Sequence, residues 1–316
     1  MIRKLLTVLA VLVVLAVLAV GVVRWQWDRT GGASGSNQPG AAPPAAAPPA
    51  PPADQPQWCP AVEMISAPGT WESAPTDDPF NPTANPNSLM LQITGPLQER
   101  FSPQQVRVWT LPYPAQFRNI NAPHEMSYDD SRDNGAQQVR AHMSEMHAQC
   151  PATDFIMAGF SQGAVIVGDL AAELGTGSGF VPAERVRGVL AIADGRRVPG
   201  VGQQVGNPVA GVGAEVALQP LSAVVQPVVP GASMRGERPG GFGLLDARVV
   251  EVCAPDDSIC DAPRDVGNAL GRAQALISAN GVHALYATNP NVIPGTTATQ
   301  WAVGWAAGLV EAPPAP

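Results

Sequence analysis

Lysine is all but missing from this chain: of its 18 basic residues only Lys4 is not arginine, and the formal net charge over 316 residues is −8. Binding a nucleic acid or another polyanion requires clustered cations, so the charge balance argues against nucleic acid as a partner. The shortage of lysine beside abundant Arg, Ala, Pro and Gly reads as the bias of a GC-rich genome. Cysteine is also scarce. The four present include no C-x-x-C pair, so the paired-cysteine spacing expected of a structural zinc site is absent and no metal is expected. No internal repeat is visible, which removes solenoid architectures.

What is present begins at the N-terminus. Leu5 to Val23 is a run of nineteen residues without a charge, preceded by Arg3 and Lys4 and followed by Arg24-Trp25-Gln26-Trp27. That length spans a hydrocarbon core as a helix. The basic start favours a cytoplasmic N-terminus and the tryptophans suit the far interface. Residues 1–29 are therefore expected to be a membrane anchor, with the body of the protein outside the cytoplasm; a cleaved signal peptide is the alternative, and either exports the domain. Residues 30–57 are Gly/Ser-rich and then Ala/Pro-rich, a composition that forms a semi-stiff linker rather than a core. One domain is expected over 58–316. Four cysteines in an exported domain read as two disulfides, and of the three pairings Cys59 with Cys150 and Cys253 with Cys260 is favoured, because the last two can pinch a single loop.

The most informative segment is Gly159-Phe160-Ser161-Gln162-Gly163. An apolar run, Asp154-Phe155-Ile156-Met157-Ala158, precedes it, and Ala164-Val165-Ile166-Val167-Gly168-Asp169-Leu170 follows. Strand, tight turn and helix is the setting in which G-x-S-x-G lifts a serine hydroxyl out of the packing and aims helix N–H groups at the same point. Around it, strands are expected at 59–66, 106–111, 186–194 and 245–253, and helices at about 87–101, 130–149 and from the elbow to about 174. This alternation predicts an α/β fold with a mostly parallel sheet covered on both faces. The stretch from Arg197 to Gly243 fits neither period and is long for a connection. It reads equally as a flap that helps bind an apolar substrate and as a surface excursion without a role in chemistry.

After the last strand, Cys253-Ala254-Pro255-Asp256-Asp257-Ser258-Ile259-Cys260 carries two carboxylates in a loop that a disulfide would hold rigid. Farther on, Asn280-Gly281-Val282-His283-Ala284-Leu285-Tyr286 sets one histidine in a turn. Serine, aspartate, histidine is the chain order of an α/β-hydrolase triad.

The run from Cys150-Pro151 through the Gly-Phe-Ser-Gln-Gly elbow, the C-x-x-x-D-x-x-C loop ending at Cys260 and the downstream His283 together resemble the cutinase family, over roughly residues 58 to 312. With its anchor and Ala/Pro tether the chain is most similar to the membrane-anchored cutinase-like lipases and esterases of mycobacteria and related actinobacteria. The resemblance implies a three-layer α/β-hydrolase-like sandwich and a serine esterase with Ser161 as nucleophile, His283 as base and Asp257 as triad acid, Asp256 being its competitor. It further implies an oxyanion hole formed by the N–H of Gln162 and by Thr70 in the loop after the first strand. The family's disulfides correspond to Cys59–Cys150 and Cys253–Cys260.

Such chemistry needs no cofactor. The expected substrate is a lipid acyl ester or thioester of the cell envelope, handled by a lipase, phospholipase A or thioesterase type of activity. An acyltransferase using the same triad and a catalytically idle lipid-binding module are the alternatives. His124, His142 and His147 precede the nucleophile and read as structural or surface groups. Asp194, at a strand end, is a minority candidate for the triad acid, and Asp169 reads as a helix-surface charge.

Overall fold

The computed structural model describes residues 55–264, 271, 274 and 281–313. The expected anchor and most of the linker, residues 1–54, lie outside the described residues. Among those described, no helix is long and apolar enough to cross a membrane.

Six strands form one sheet: β1 (Val62–Ala67), β2 (Val106–Thr110), β3 (Asp154–Phe160), β4 (Val186–Ile192), β5 (Gln203–Val205) and β6 (Val249–Val252). Their order is β2-β1-β3-β4-β6-β5, and every pair of neighbours is parallel. Because side chains alternate along a strand, the apolar residues of β1, β3 and β4 divide between two faces. Val62, Met64, Ile156, Ala158, Leu190 and Ile192 pack with α1 (Leu91–Arg100) and α4 (Ala298–Glu311). Ile65, Phe155, Met157 and Val189 pack with α2 (Tyr128–Gln149) and α3 (Gln162–Glu173). Helix, sheet, helix is the three-layer arrangement expected, and both faces being covered explains why these strands are apolar almost throughout.

Several boundaries differ from expectation. The first strand starts at Val62 rather than Cys59, and the fourth ends at Ile192, leaving Ala193 with a positive φ and Asp194 beyond it. The last begins at Val249, because Gly243–Arg248 forms a 3-10 turn. The chain steps from β1 outward to β2, then returns to β3 on the other side of β1. The carboxyl ends of β1 and β3 therefore flank the switch point at which parallel sheets open a crevice. Pro68-Gly69-Thr70 leaves one of these ends and Ser161 the other.

Candidate active site

Ser161 links β3 to α3 with φ 54° and ψ −117°, a conformation a non-glycine residue holds only when its surroundings enforce it. Both elbow glycines are explained by crowding. A Cβ on Gly159 would lie 2.3 Å from the Gly163 carbonyl oxygen, and one on Gly163 would lie 2.0 Å from that of Ala67. The Ser161 turn is thus pressed against the end of β1, and the Ser161 N–H donates to the Ile192 carbonyl on the other flank at 2.9 Å.

His283 opens a short 3-10 turn, buried, with Nε2 3.0 Å from Ser161 Oγ and Nδ1 2.9 Å from Asp257 Oδ2. An ionised carboxylate can only accept, so Nδ1 carries the proton toward Asp257 and Nε2 is free to accept from the serine hydroxyl. Phe160 stacks on the imidazole with centroids 5.0 Å apart. Asp257 is fully buried, whereas Asp256 is exposed, has a positive φ and donates its N–H to Asp261. Of the two carboxylates, only Asp257 bonds His283.

Tyr286, one turn after the histidine, had no distinguishing signal in sequence. Its hydroxyl donates to Asp257 Oδ2 at 2.7 Å and accepts the Ala254 N–H at 2.9 Å. Burial, and then the Asp257 charge, push this phenol well above its ordinary range, so it remains a donor. The Ile259 N–H donates to Asp257 Oδ1. Both disulfides, Cys59–Cys150 and Cys253–Cys260, are formed, the second closing the loop that carries Asp257.

Next to Ser161 in sequence, the N–H of Gln162 is the first of α3 and has no intrahelical acceptor. Its side chain is fixed: Oε1 accepts from Ser131 and Nε2 donates to the Gln116 carbonyl. Thr70 lines the same cavity as Ser161 and Gln162. Glu72, also unsignalled in sequence, holds this loop, its carboxylate accepting the Gly69 and Leu89 N–H groups and the Ser88 hydroxyl. Burial raises the Glu72 carboxyl above its ordinary range, and these hydrogen bonds offset part of the rise. Tyr113, also buried, donates to the Pro68 carbonyl. Trp71 has a φ of 62° and is half exposed, its indole N–H shared between the Glu125 oxygens.

Ser161 faces a cavity of about 410 Å³ walled by Phe117, Val165, Ala214, Ala232, Met234 and Ile259, among others. Among the described residues its lining contains no lysine or arginine. The other sequence candidates lie elsewhere. Asp194 is paired with Arg238 and caps the Arg196 N–H. Asp169 is no plain surface charge, since Arg196, Arg235 and Arg238 all donate to it. His142 stacks on Trp109 beside Glu63, and neither His124 nor His147 lines the cavity. Among the described residues no cluster of His, Cys, Asp and Glu is disposed to hold a metal ion.

A family model described as cutinase matches residues 58–271. A protein of Corynebacterium glutamicum, named carboxylesterase Culp6 homolog, is 60% identical over 309 residues, covering 98% of this chain and 99% of that one. Similar solved structures include the catalytic core domain of acetyl xylan esterase from Trichoderma reesei (18% identity, 71% of this chain and 98% of that chain, TM-score 0.45). A cutinase-like protein from Cryptococcus sp. is likewise 18% identical, over 81% of this chain and 98% of that chain, with a TM-score of 0.45.

Proposed function

The chain belongs to the cutinase family and is a carboxylic ester hydrolase, and from that premise we propose that it cleaves lipid acyl esters outside the cytoplasm by way of Ser161, His283 and Asp257. The observation that carries the assignment of roles is the unbroken hydrogen-bonded line from Ser161 Oγ through both imidazole nitrogens to Asp257.

In this reading Ser161 Oγ attacks the ester carbonyl while Nε2 of His283 takes its proton. The buried Asp257 holds the imidazole in the required tautomer and stabilises the imidazolium as it forms. The carbonyl oxygen becomes an oxyanion facing the Gln162 N–H and Thr70, donors worth roughly 3 kcal/mol each in a water-poor site. The imidazolium then returns the proton to the departing alcohol, leaving an acyl-enzyme. Water, activated by the same imidazole, releases the acid. The crowded elbow supports this sequence of steps, because it already holds Ser161, half-buried, in the lining of the cavity and little reorganisation remains at the moment of attack.

A mostly apolar cavity, with no lysine or arginine among its described lining residues, suits an acyl ester better than a charged metabolite. The uncharged run 5–23 and the Ala/Pro tether that follows support an enzyme anchored at the membrane and working in the cell envelope. The test is hydrolysis by the full-length protein of p-nitrophenyl esters of increasing chain length and of acyl-CoAs. Free acid is the expected product, and Ser161→Ala should abolish its release. Full activity in that variant would remove Ser161 from its role, and product appearing only with an added alcohol acceptor would replace hydrolysis by acyl transfer.

A further inference from the structure

Much of the stretch from Arg197 to Gly243 is built around the cavity. Ala214, Glu215, Ala232 and Met234 line it beside Ser161. Behind them Leu218, Val225 and Val229 join Ala232 and Met234 in a small core against which Phe117 and Tyr128 pack. The segment therefore brings its own apolar support.

It is tied to the hydrolase body at both ends. At its root, Val212 and Ala262 exchange backbone hydrogen bonds, and the Ala214 N–H donates to the Ile259 carbonyl, so the root is zipped to the loop that carries Asp257. Arg197, itself buried, donates to the carbonyls of both Cys260 and Gly211. At its far end, Arg235 pairs with Glu215 and with Asp169 on α3, while Arg238 pairs with Asp169 and with Asp194. Arg238 and Asp194 are both buried. Swinging the segment away would separate these charges, and an unpaired buried charge is strongly unfavourable. The wall is consequently fixed rather than hinged.

Position relative to the reacting atoms identifies what it touches. Ala284 and Ala287 line the cavity and follow His283 in sequence, marking the end where a leaving group would meet the imidazole. The segment meets the cavity at Phe117 and Tyr128, and the neighbouring Gln116 carbonyl is bound by Gln162 at the oxyanion side. Glu215 presents no free charge to that end, since Arg235 and the Tyr128 hydroxyl occupy its carboxylate.

We propose that residues 211–238 form the fixed wall of an acyl-chain subsite that seats the apolar chain of the substrate against Phe117, Val165, Ala214, Ala232 and Met234. This rests on the esterase reading above and assigns the segment to specificity. Each methylene that enters such a wall should raise kcat/KM by roughly fourfold until the subsite is full.

The direct test uses full-length wild-type protein carrying on Ser161 an alkylphosphonate delivered from its p-nitrophenyl ester, with either a methyl or an undecyl group on phosphorus. Relative to the methyl adduct, the undecyl adduct should slow amide hydrogen exchange at least threefold in peptides spanning 211–218 and 228–236. Equal exchange in those peptides, with slowing elsewhere around the cavity, would overturn the assignment while leaving the esterase reading intact. If neither phosphonate forms an adduct on Ser161, the esterase reading falls and the subsite with it.

A second arm is Met234→Trp, which fills the wall and leaves every ion pair in place. The ratio of kcat/KM for p-nitrophenyl decanoate over acetate should drop at least tenfold, and a ratio within twofold of wild type would contradict the proposal. The exchange measurement needs no variant to fold.

Discussion

The loop from Cys253 to Cys260 and the segment 211–238 both border the cavity, yet different forces hold them. The loop is closed by a disulfide, and its carboxylate is fixed by a phenol, a backbone N–H and an imidazole. The segment depends on three guanidinium groups shared among Asp169, Asp194 and Glu215, assembled from residues far apart in the chain. A covalent closure tolerates acid. Ion pairs are lost once their carboxylates protonate, so the loop should stay closed at a pH low enough to release the segment.

The largest expected effect lies in the loop. Asp257→Asn preserves shape but removes the charge and offers His283 the wrong tautomer, so kcat should fall by about 10³ to 10⁴. Steady-state kinetics should show KM changing far less, and the thermal midpoint should move by only a few degrees. The segment should respond in the opposite way. Arg238→Met strands the buried Asp194 carboxylate and removes one of the partners of Asp169, which should cost on the order of 3–5 kcal/mol of stability in urea unfolding. Protein that remains folded should retain the Ser161–His283–Asp257 hydrogen bonds.

The smallest of the three effects is a pH dependence. Burial alone would raise the Asp169 carboxyl, but the guanidinium groups of Arg238, Arg235 and Arg196 outweigh it and bring the carboxyl down to about 2. A carboxyl depressed by folding stabilises the native state above its unfolded pKa. That contribution, on the order of 2 kcal/mol, should be complete above about pH 4 and disappear as the pH falls through about 2. The urea midpoint should therefore fall between pH 4 and pH 2, and fall less in Asp169→Asn. Equal slopes in the two proteins would show that the network contributes nothing through this residue.

Much of the molecule was legible in sequence, for reasons that differ by region. The strands that flank the switch point are apolar on both faces, and the two elbow glycines sit where only a hydrogen fits, so β1, β3 and the Ser161 turn carry local signals. The disulfide loop is legible because its constraint is local as well, with the two cysteines seven positions apart in sequence. β5 left no such trace: it is three residues long and begins with two exposed glutamines. Leu245 looks like strand because it is apolar, but it is buried from within a 3-10 turn.

The charge network was invisible for another reason. Asp169 on a helix resembles any surface acid until Arg196, Arg235 and Arg238, 27, 66 and 69 residues later in the chain, close on it. Tyr286 and Glu72 are similar cases. Nothing local announces that a phenol will meet Asp257 or that a carboxylate will hold the Gly69 amide; the fold makes those pairs.

The proposed chemistry stands or falls with Ser161 as the activated nucleophile. That role can be read by treating the full-length protein with a fluorophosphonate and mapping the product by peptide mass spectrometry. One adduct on the peptide that contains Ser161 is the expected result. Folded protein that takes up no label, or takes it up on a different serine, would contradict the account.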